Sequence, residues 1–361
     1  QVVIVSVAGA FRKGKSFLLN FFLEYLYALN SSQQNGTPVK WLDDNTQVQG
    51  FHWRSGASRD TEGIWMWGEP ILIKAASGEK LAVVLMDTQG AFDSQSTYQQ
   101  CTTIFTLSTI VSSLQIYNVV DAIQEDALQN LTLFVKYGQM AMEQMKQFGT
   151  PFQTLCYCVR DFKAPQEYPF GNEGGQKYME DVLNTYAGQP DELRLTRDLL
   201  SKSFSNLLCY LLPYPGMKVA ERRSFKGDVR DIRSEFREEV RKMAESLLSP
   251  TALQPKIING KPVTCKKLIE CFKVNYSDGE SASDSPLFAC SLASLTDERS
   301  NEAIDDAKTV YCTEMDKAMK QRSLLSEKKL LKRHTRSEAA AMIAYDRLEK
   351  RETKLRKFGF I

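Results

Sequence analysis

The stretch Gly9-Ala10-Phe11-Arg12-Lys13-Gly14-Lys15-Ser16 follows a β-branched run, Val2-Val3-Ile4-Val5-Ser6-Val7, and precedes Phe17-Leu18-Leu19-Asn20-Phe21-Phe22, whose apolar positions recur at helical spacing. It therefore occupies a strand-to-helix turn, the context that a phosphate-binding loop of pattern G-x-x-x-x-G-K-[ST] needs. Glycines at Gly9 and Gly14 let the backbone curl until successive N–H groups converge on a phosphate, and the helix N-terminus adds partial positive charge. Lys15 would reach the β- and γ-phosphates and the Ser16 hydroxyl would ligate Mg2+. An isolated match to so short a pattern is often a glycine-rich turn; the flanking strand and helix separate this one from that background.

Further along, Ser58-Arg59-Asp60-Thr61-Glu62-Gly63-Ile64 is a polar loop ahead of an aromatic strand at Trp65-Met66-Trp67. A P-loop nucleotidase places a Thr in such a loop to reach Mg2+ and report the γ-phosphate, and Thr61 is the candidate. Taken alone, a Thr beside a Gly reads more readily as a turn residue. The run Leu81-Ala82-Val83-Val84-Leu85-Met86 has the continuous apolar character of a central parallel strand and ends in Asp87-Thr88-Gln89-Gly90. An Asp there can hold Mg2+ through water, and the Gly90 N–H can meet the γ-phosphate. The next residue is Ala91, where Ras-like switches carry the glutamine that orients the attacking water. Arg12, inside the phosphate loop, could then serve as an arginine finger in cis; on spacing alone it reads equally as a solvent-facing side chain.

The spacing predicts two long helices over residues 97–148, with apolar stripes at Ile104, Leu107, Ile110, Val111 and Leu114 and at Leu128, Leu131, Phe134, Val135 and Met142. A strand, Leu155-Cys156-Tyr157-Cys158-Val159, ends in Arg160-Asp161. The chain has no N-K-x-D, the usual guanine reader, but a carboxylate just past a strand can accept from guanine N1–H and N2–H2, a pair adenine lacks. By itself an Arg-Asp pair is more often a surface ion pair. After the strand Leu207 to Leu212, the segment Pro213-Tyr214-Pro215-Gly216-Met217-Lys218-Val219-Ala220 reads as a rigid loop able to cover a base, or as a plain connection.

At 361 residues, 43% apolar and 25% charged, the chain has the bulk for two domains and the composition of a globular protein. A net charge of +2 gives no argument for nucleic acid, and no stretch reaches the roughly 18 apolar residues of a membrane span. The eight cysteines are scattered and only two histidines exist, so thiols such as Cys156 and Cys158 read as core residues in a reducing compartment, and a zinc site is not expected. The chain starts at Gln1 directly in a strand and is expected to be a fragment. Composition shifts beyond Ser249-Pro250, giving an expected division into a nucleotide-binding domain at 1–250, a linker at 251–262 and a three-helix bundle at 263–361. The basic stretch Lys328 to Arg336 reads as a solvated helix face more readily than as a membrane-facing patch.

The set G-A-F-R-K-G-K-S at 9–16, R-D-T-E-G-I at 59–64, D-T-Q-G-A-F-D-S-Q-S at 87–96, V-R-D at 159–161 and P-Y-P-G-M-K-V-A at 213–220 resembles the atlastins, dynamin-superfamily GTPases that tether and fuse endoplasmic reticulum membranes. The resemblance implies an α/β, dynamin-like P-loop GTPase fold, a mostly parallel sheet with helices on both faces, followed by the bundle. It implies GTP and GDP as substrate and product, Mg2+ as cofactor, a nucleotide-dependent homodimer, and residence at the cytosolic face of the endoplasmic reticulum membrane through segments outside this chain. Arg12, Lys15 and Thr61 become catalytic; Ser16, Thr61 and Asp87 hold the metal. Gly9, Lys13, Gly14, Phe17, Arg54, Gly90, Arg160, Asp161 and Val219 complete the nucleotide contacts, with Arg54 a mobile switch residue. Glu62 departs from the pattern, standing where a second Thr is expected. Two other readings remain: a self-assembling scaffold of the guanylate-binding type without a membrane span, and, given the missing N-K-x-D, a P-loop ATPase or kinase.

Overall fold

A computed structural model describes residues 1–53, 61, 63–90, 98–143, 152–186, 188–220, 225–258, 260–268, 309–313, 315, 334–337 and 339–340. The chain divides into two compact units, Gln1–Cys290 and Ser291–Ile361. The first runs β1 (Val2–Gly9), α1 (Lys15–Asn35), β2 (Ile64–Met66), β3 (Ile71–Lys74), β4 (Lys80–Thr88), α2 (Tyr98–Val111), β5 (Leu114–Val120), α3 (Glu125–Glu143), β6 (Phe152–Arg160), α4 (Asn172–Leu183), α5 (Asp191–Ser203), β7 (Phe204–Leu211), α6 (Met217–Ala220), α7 (Ser234–Leu248), β8 (Ile257–Ile258) and β9 (Lys261–Pro262).

One sheet has the order β2-β4-β1-β5-β6-β7, with β3 also paired to β4. The five strands from β4 to β7 are parallel, and β2 and β3 run antiparallel against β4. Every residue of β1 is buried, as its continuous apolar run requires of an inner strand covered on both faces. Val3, Val5 and Val7 join the core shared by α1 and α7, where Phe17, Leu18, Phe21, Phe22 and Leu26 meet Phe236, Val240, Met243 and Leu247. Truncating one such leucine to alanine costs about 2–5 kcal/mol. α1 ends at Gly36, whose left-handed backbone (φ 68°) turns its N–H onto the Ser32 carbonyl. Because the central strands are parallel, their carboxyl ends share one edge, and the loops after β1, β4, β5, β6 and β7 gather there.

The two long helices expected over 97–148 are corrected: α2 ends at Val111, and Leu114–Val120 forms β5 between β1 and β6. Leu114-Gln115-Ile116-Tyr117-Asn118-Val119-Val120 is a short run rich in β-branched and aromatic residues, buried from Leu114 to Val119. Its leucine also fits a helical stripe, and a run this short carries no period that separates strand from helix.

The stretch read as a linker is hydrogen-bonded to the sheet. Lys256 N–H donates to Val2 O at 2.8 Å, Val2 N–H to Val263 O at 2.9 Å, and Val263 N–H to Lys256 O at 2.7 Å. Lys256 is itself buried, its Nζ donating to Ser112 O at 3.0 Å beyond the end of α2. The first helix expected beyond it starts as a helical turn at 265–268. In the second unit the described residues are 309–313, 315, 334–337 and 339–340, all helical, and Tyr311 Oη and His334 Nδ1 lie 2.8 Å apart. Most of the expected bundle, and most of the basic stretch 328–336, lie outside the described residues. Among those described, no helix is long and apolar enough to cross a membrane.

Candidate active site

The loop after β1 folds as its glycines dictate. Gly14 takes a left-handed conformation (φ 76°) at the head of α1, and Arg12 does so as well (φ 60°), a conformation uncommon outside glycine. A Cβ on Gly14 would stand 2.9 Å from Arg160 Nη1, so a side chain there would be strained by the left-handed backbone and would have to displace the Arg160 guanidinium. Arg12 and Lys13 are exposed, the Arg12 guanidinium lying 5.8 Å from the Phe11 ring centre. Lys15 is buried and donates to Ala10 O at 3.2 Å. Burial lowers its ammonium to about 8, with the Asp87 charge opposing the shift.

Three oxygens meet beside it. Ser16 Oγ donates to Asp87 Oδ2 at 2.6 Å, and Thr61 Oγ1 donates to the same oxygen at 2.9 Å. Asp87 is buried at the end of β4, and among the described residues its other oxygen, Oδ1, meets no donor at full hydrogen-bond geometry. Burial pushes its carboxyl upward, against the hydroxyl of Ser16, the charge of Lys15 and the hydroxyl of Thr61. The structure thus brings Lys15, Ser16, Thr61 and Asp87 together from three separate segments. Gly90 packs so tightly under the loop that a Cβ there would lie 2.3 Å from Phe11 Cα. Gln89, which sequence reasoning passed over, ties the Thr61 segment down: its N–H donates to Gly63 O at 2.7 Å and its Oε1 accepts from Gly63 N–H at 2.8 Å.

On the other side of the loop, Arg160 at the end of β6 donates to Gly14 O at 3.3 Å and lies 5.3 Å from the Phe236 ring centre. Among the described residues its Nε has no partner. Asp161 follows in a left-handed conformation (φ 57°), with a buried, unpartnered Oδ1. Desolvation raises its carboxyl, opposed by Arg160. Asp161 thus offers an acceptor beside a phosphate loop that its own neighbour touches.

Gly9 lies against Asn118 of β5, where a Cβ would be 2.2 Å from the Asn118 carbonyl oxygen. Phe17 is a packing residue in its side chain, its ring 5.4 Å from Trp53 and 6.1 Å from Phe225. Val219 is buried in α6, its N–H on Gly216 O at 3.1 Å. Arg54 and Glu62 lie outside the described residues. Asn118 is a second residue that sequence reasoning missed, because its strand was assigned to a helix; its Nδ2 donates to Lys13 O at 2.9 Å.

A family model described as guanylate-binding protein, N-terminal domain, matches residues 1–256. The chain is 44% identical to mouse Atlastin-3 over 319 residues, 88% of this chain and 57% of that protein. It is 44% identical to human Atlastin-2, over 88% of this chain and 53% of that protein, and 43% identical to Atlastin-1 of Macaca fascicularis, over 88% and 55%. The chain spans just over half the length of these relatives. Through the G domain built around the Gly9–Ser16 loop, the chain belongs to the guanylate-binding protein N-terminal domain family and is a homologue of the atlastins.

Proposed function

We propose that the chain is the catalytic core of a membrane-fusing GTPase, which binds GTP, pairs with a second copy of itself through the G domain and hydrolyses the nucleotide. The observation that carries the proposal is the convergence of Ser16, Thr61 and Asp87 beside buried Lys15, with Asp161 placed past the far side of the same loop. Mg2+ fits there. The unpartnered Asp87 Oδ1 and two hydroxyls make the sparse oxygen set that Mg2+ uses with phosphates and water. Ser16 and Thr61 would hold it, with Asp87 behind them, and the ion would offset charge on the phosphates.

The remaining work falls to the protein's own groups. Lys15, kept from water, places its positive charge against the terminal phosphates, where low dielectric strengthens the attraction. Loop N–H groups and the head of α1 add to it. Arg12 would swing from the loop onto the leaving and transferring phosphates as the finger in cis, and Ala91 leaves water positioning to other groups. Asp161 accepts from the guanine edge and Arg160 supports it. The 213–220 segment with Val219 caps the base, and Arg54 reports the nucleotide state.

The division into a G domain at 1–250, a linker at 251–262 and a bundle at 263–361 gives the cycle its readout. Hydrolysis within the dimer would swing the bundle and draw two endoplasmic reticulum membranes together from the cytosolic side. The bonds of Lys256 and Val263 to Val2 give the linker a fixed root in the sheet. A self-assembling scaffold of the guanylate-binding type would share this site; identity of 43–44% with atlastins over 88% of the chain favours fusion. Phosphate release from GTP and from ATP, with Lys15→Ala as control, tests the enzyme. GTP-selective turnover abolished by Lys15→Ala is expected, and an ATP preference would overturn the guanine assignment.

A further inference from the structure

The phosphate loop is a chain of peptide units whose N–H groups must face the anion, and in a trans peptide the N–H points opposite to the preceding carbonyl. Whatever holds a loop carbonyl outward therefore aims the next N–H inward. In this chain two consecutive loop carbonyls are held. Arg160 Nη1 takes Gly14 O at 3.3 Å, which directs the Lys15 N–H, and Asn118 Nδ2 takes Lys13 O at 2.9 Å, which directs the Gly14 N–H. The Lys13–Gly14 peptide most needs such a hold. It leads into left-handed Gly14 one residue after left-handed Arg12, ahead of the first helical hydrogen bond from Leu18 N–H to Gly14 O.

We propose that Asn118 is a positioning residue of the phosphate loop: its side-chain amide, by gripping the Lys13 carbonyl, fixes the Gly14 N–H toward the β-phosphate. The inference deepens the nucleotide-binding reading given above and rests on it. Asn118 is an unyielding anchor, fully buried in β5 with its Cα paired to Gly9 of β1 on one side and Cys158 of β6 on the other. The loop must therefore adjust to it. Among the described residues its Oδ1 has no partner, and its Nδ2 donation to Lys13 O is the bond that ties the amide to the loop. Asn118 also sits where its own carbonyl excludes a Cβ at Gly9, so one residue bounds the loop at its start and orients it near its end.

The test is nucleotide affinity by titration for the native chain, Asn118→Ala and Asn118→Asp, with melting temperature measured alongside. The native chain must bind GDP; if it does not, the nucleotide reading fails and this inference with it. With native binding intact, both variants should lose about tenfold or more in GDP affinity. Asp should lose more than Ala, because its carboxylate repels the Lys13 carbonyl despite matching Asn in shape. If Asn118→Asp binds GDP like the native chain while Asn118→Ala does not, the side chain only fills space and the proposal is overturned. Should Asn118→Asp fail to fold, GMP competition with Asn118→Ala decides. Affinity lost for GDP but kept for GMP, which has no β-phosphate, supports the proposal, whereas equal losses for both overturn it.

Discussion

Thr61 Oγ1 donates to Asp87 Oδ2 across 2.9 Å, onto the oxygen that also receives Ser16, so Thr61 and the loop after β1 are joined through one carboxylate. Removing the Thr61 hydroxyl breaks the switch-loop arm and leaves the phosphate loop whole. Thr61→Ala is expected to lower GTP turnover on the order of 10²-fold while GDP affinity stays within a few-fold. Asp87→Asn, which removes the charge facing Lys15, should lower both. Single-turnover kinetics beside GDP titration would separate the two patterns, and equal losses of GDP affinity in both variants would contradict the assignment.

Among the described residues the Oδ1 of Asp161 is an unpartnered acceptor, and in the base site proposed for it the chemistry of this group would set the base that fits. An amide there can accept from N1–H and donate to a carbonyl at position 2, which is the edge of xanthine. Asp161→Asn should therefore lose GTP affinity and gain xanthosine triphosphate affinity, a reversal on the order of 10²-fold. Competition binding with the two nucleotides checks it, and unchanged GTP preference would remove Asp161 from the base site.

The doubled hold of Gln89 on Gly63 needs only an acceptor from the side chain. Gln89→Glu keeps one and is expected to turn over GTP within a few-fold of the native rate. Gln89→Leu removes it, frees the Thr61 segment and should cost about tenfold in turnover at little change in melting temperature. A Leu variant as active as the native chain would show that the backbone pairing alone suffices.

Lys256 is buried, among the described residues only the Ser112 carbonyl is bonded to its Nζ, and burial lowers its ammonium to about 7. The unfolded chain holds that proton up to about pH 10.4, so between pH 7 and pH 10 the unfolded state binds more protons and stability rises with pH. Below pH 7 both states are protonated and the slope vanishes. Urea unfolding of the native chain and Lys256→Met should show this rise in the native chain alone, on the order of 2 kcal/mol from pH 7 to pH 9. Parallel profiles would contradict it.

The strand-to-helix turn at Gly9–Ser16, the buried β4 ending at Asp87 and the strand ending at Arg160 were legible in the sequence, because each pairs an apolar run with a short motif at its end, whereas Thr61, in a polar loop, stood out only through the resemblance. Asn118 was not. Its strand is short and apolar enough to pass for part of a helix, and an Asn at a strand end has no motif of its own. Gln89 stood inside a recognised motif, but its bond to Gly63 depends on the antiparallel pairing of β2 with β4, which local spacing does not reveal. The anchoring of Lys256 and Val263 to β1 escaped for a related reason, since Pro and Gly punctuation marks a turn without saying what the turn rests on.

On the function proposed above, the nucleotide state drives pairing of two copies of the chain. The most direct measurement is the mass of the chain by light scattering with GDP, a non-hydrolysable GTP analogue and GDP plus aluminium fluoride, for the native chain and Arg12→Ala. The expected result is a monomer with GDP and a dimer with the analogue or the transition-state mimic, with Arg12→Ala slowing hydrolysis. A native chain that remains monomeric in every state, with hydrolysis indifferent to Arg12, would contradict the claim.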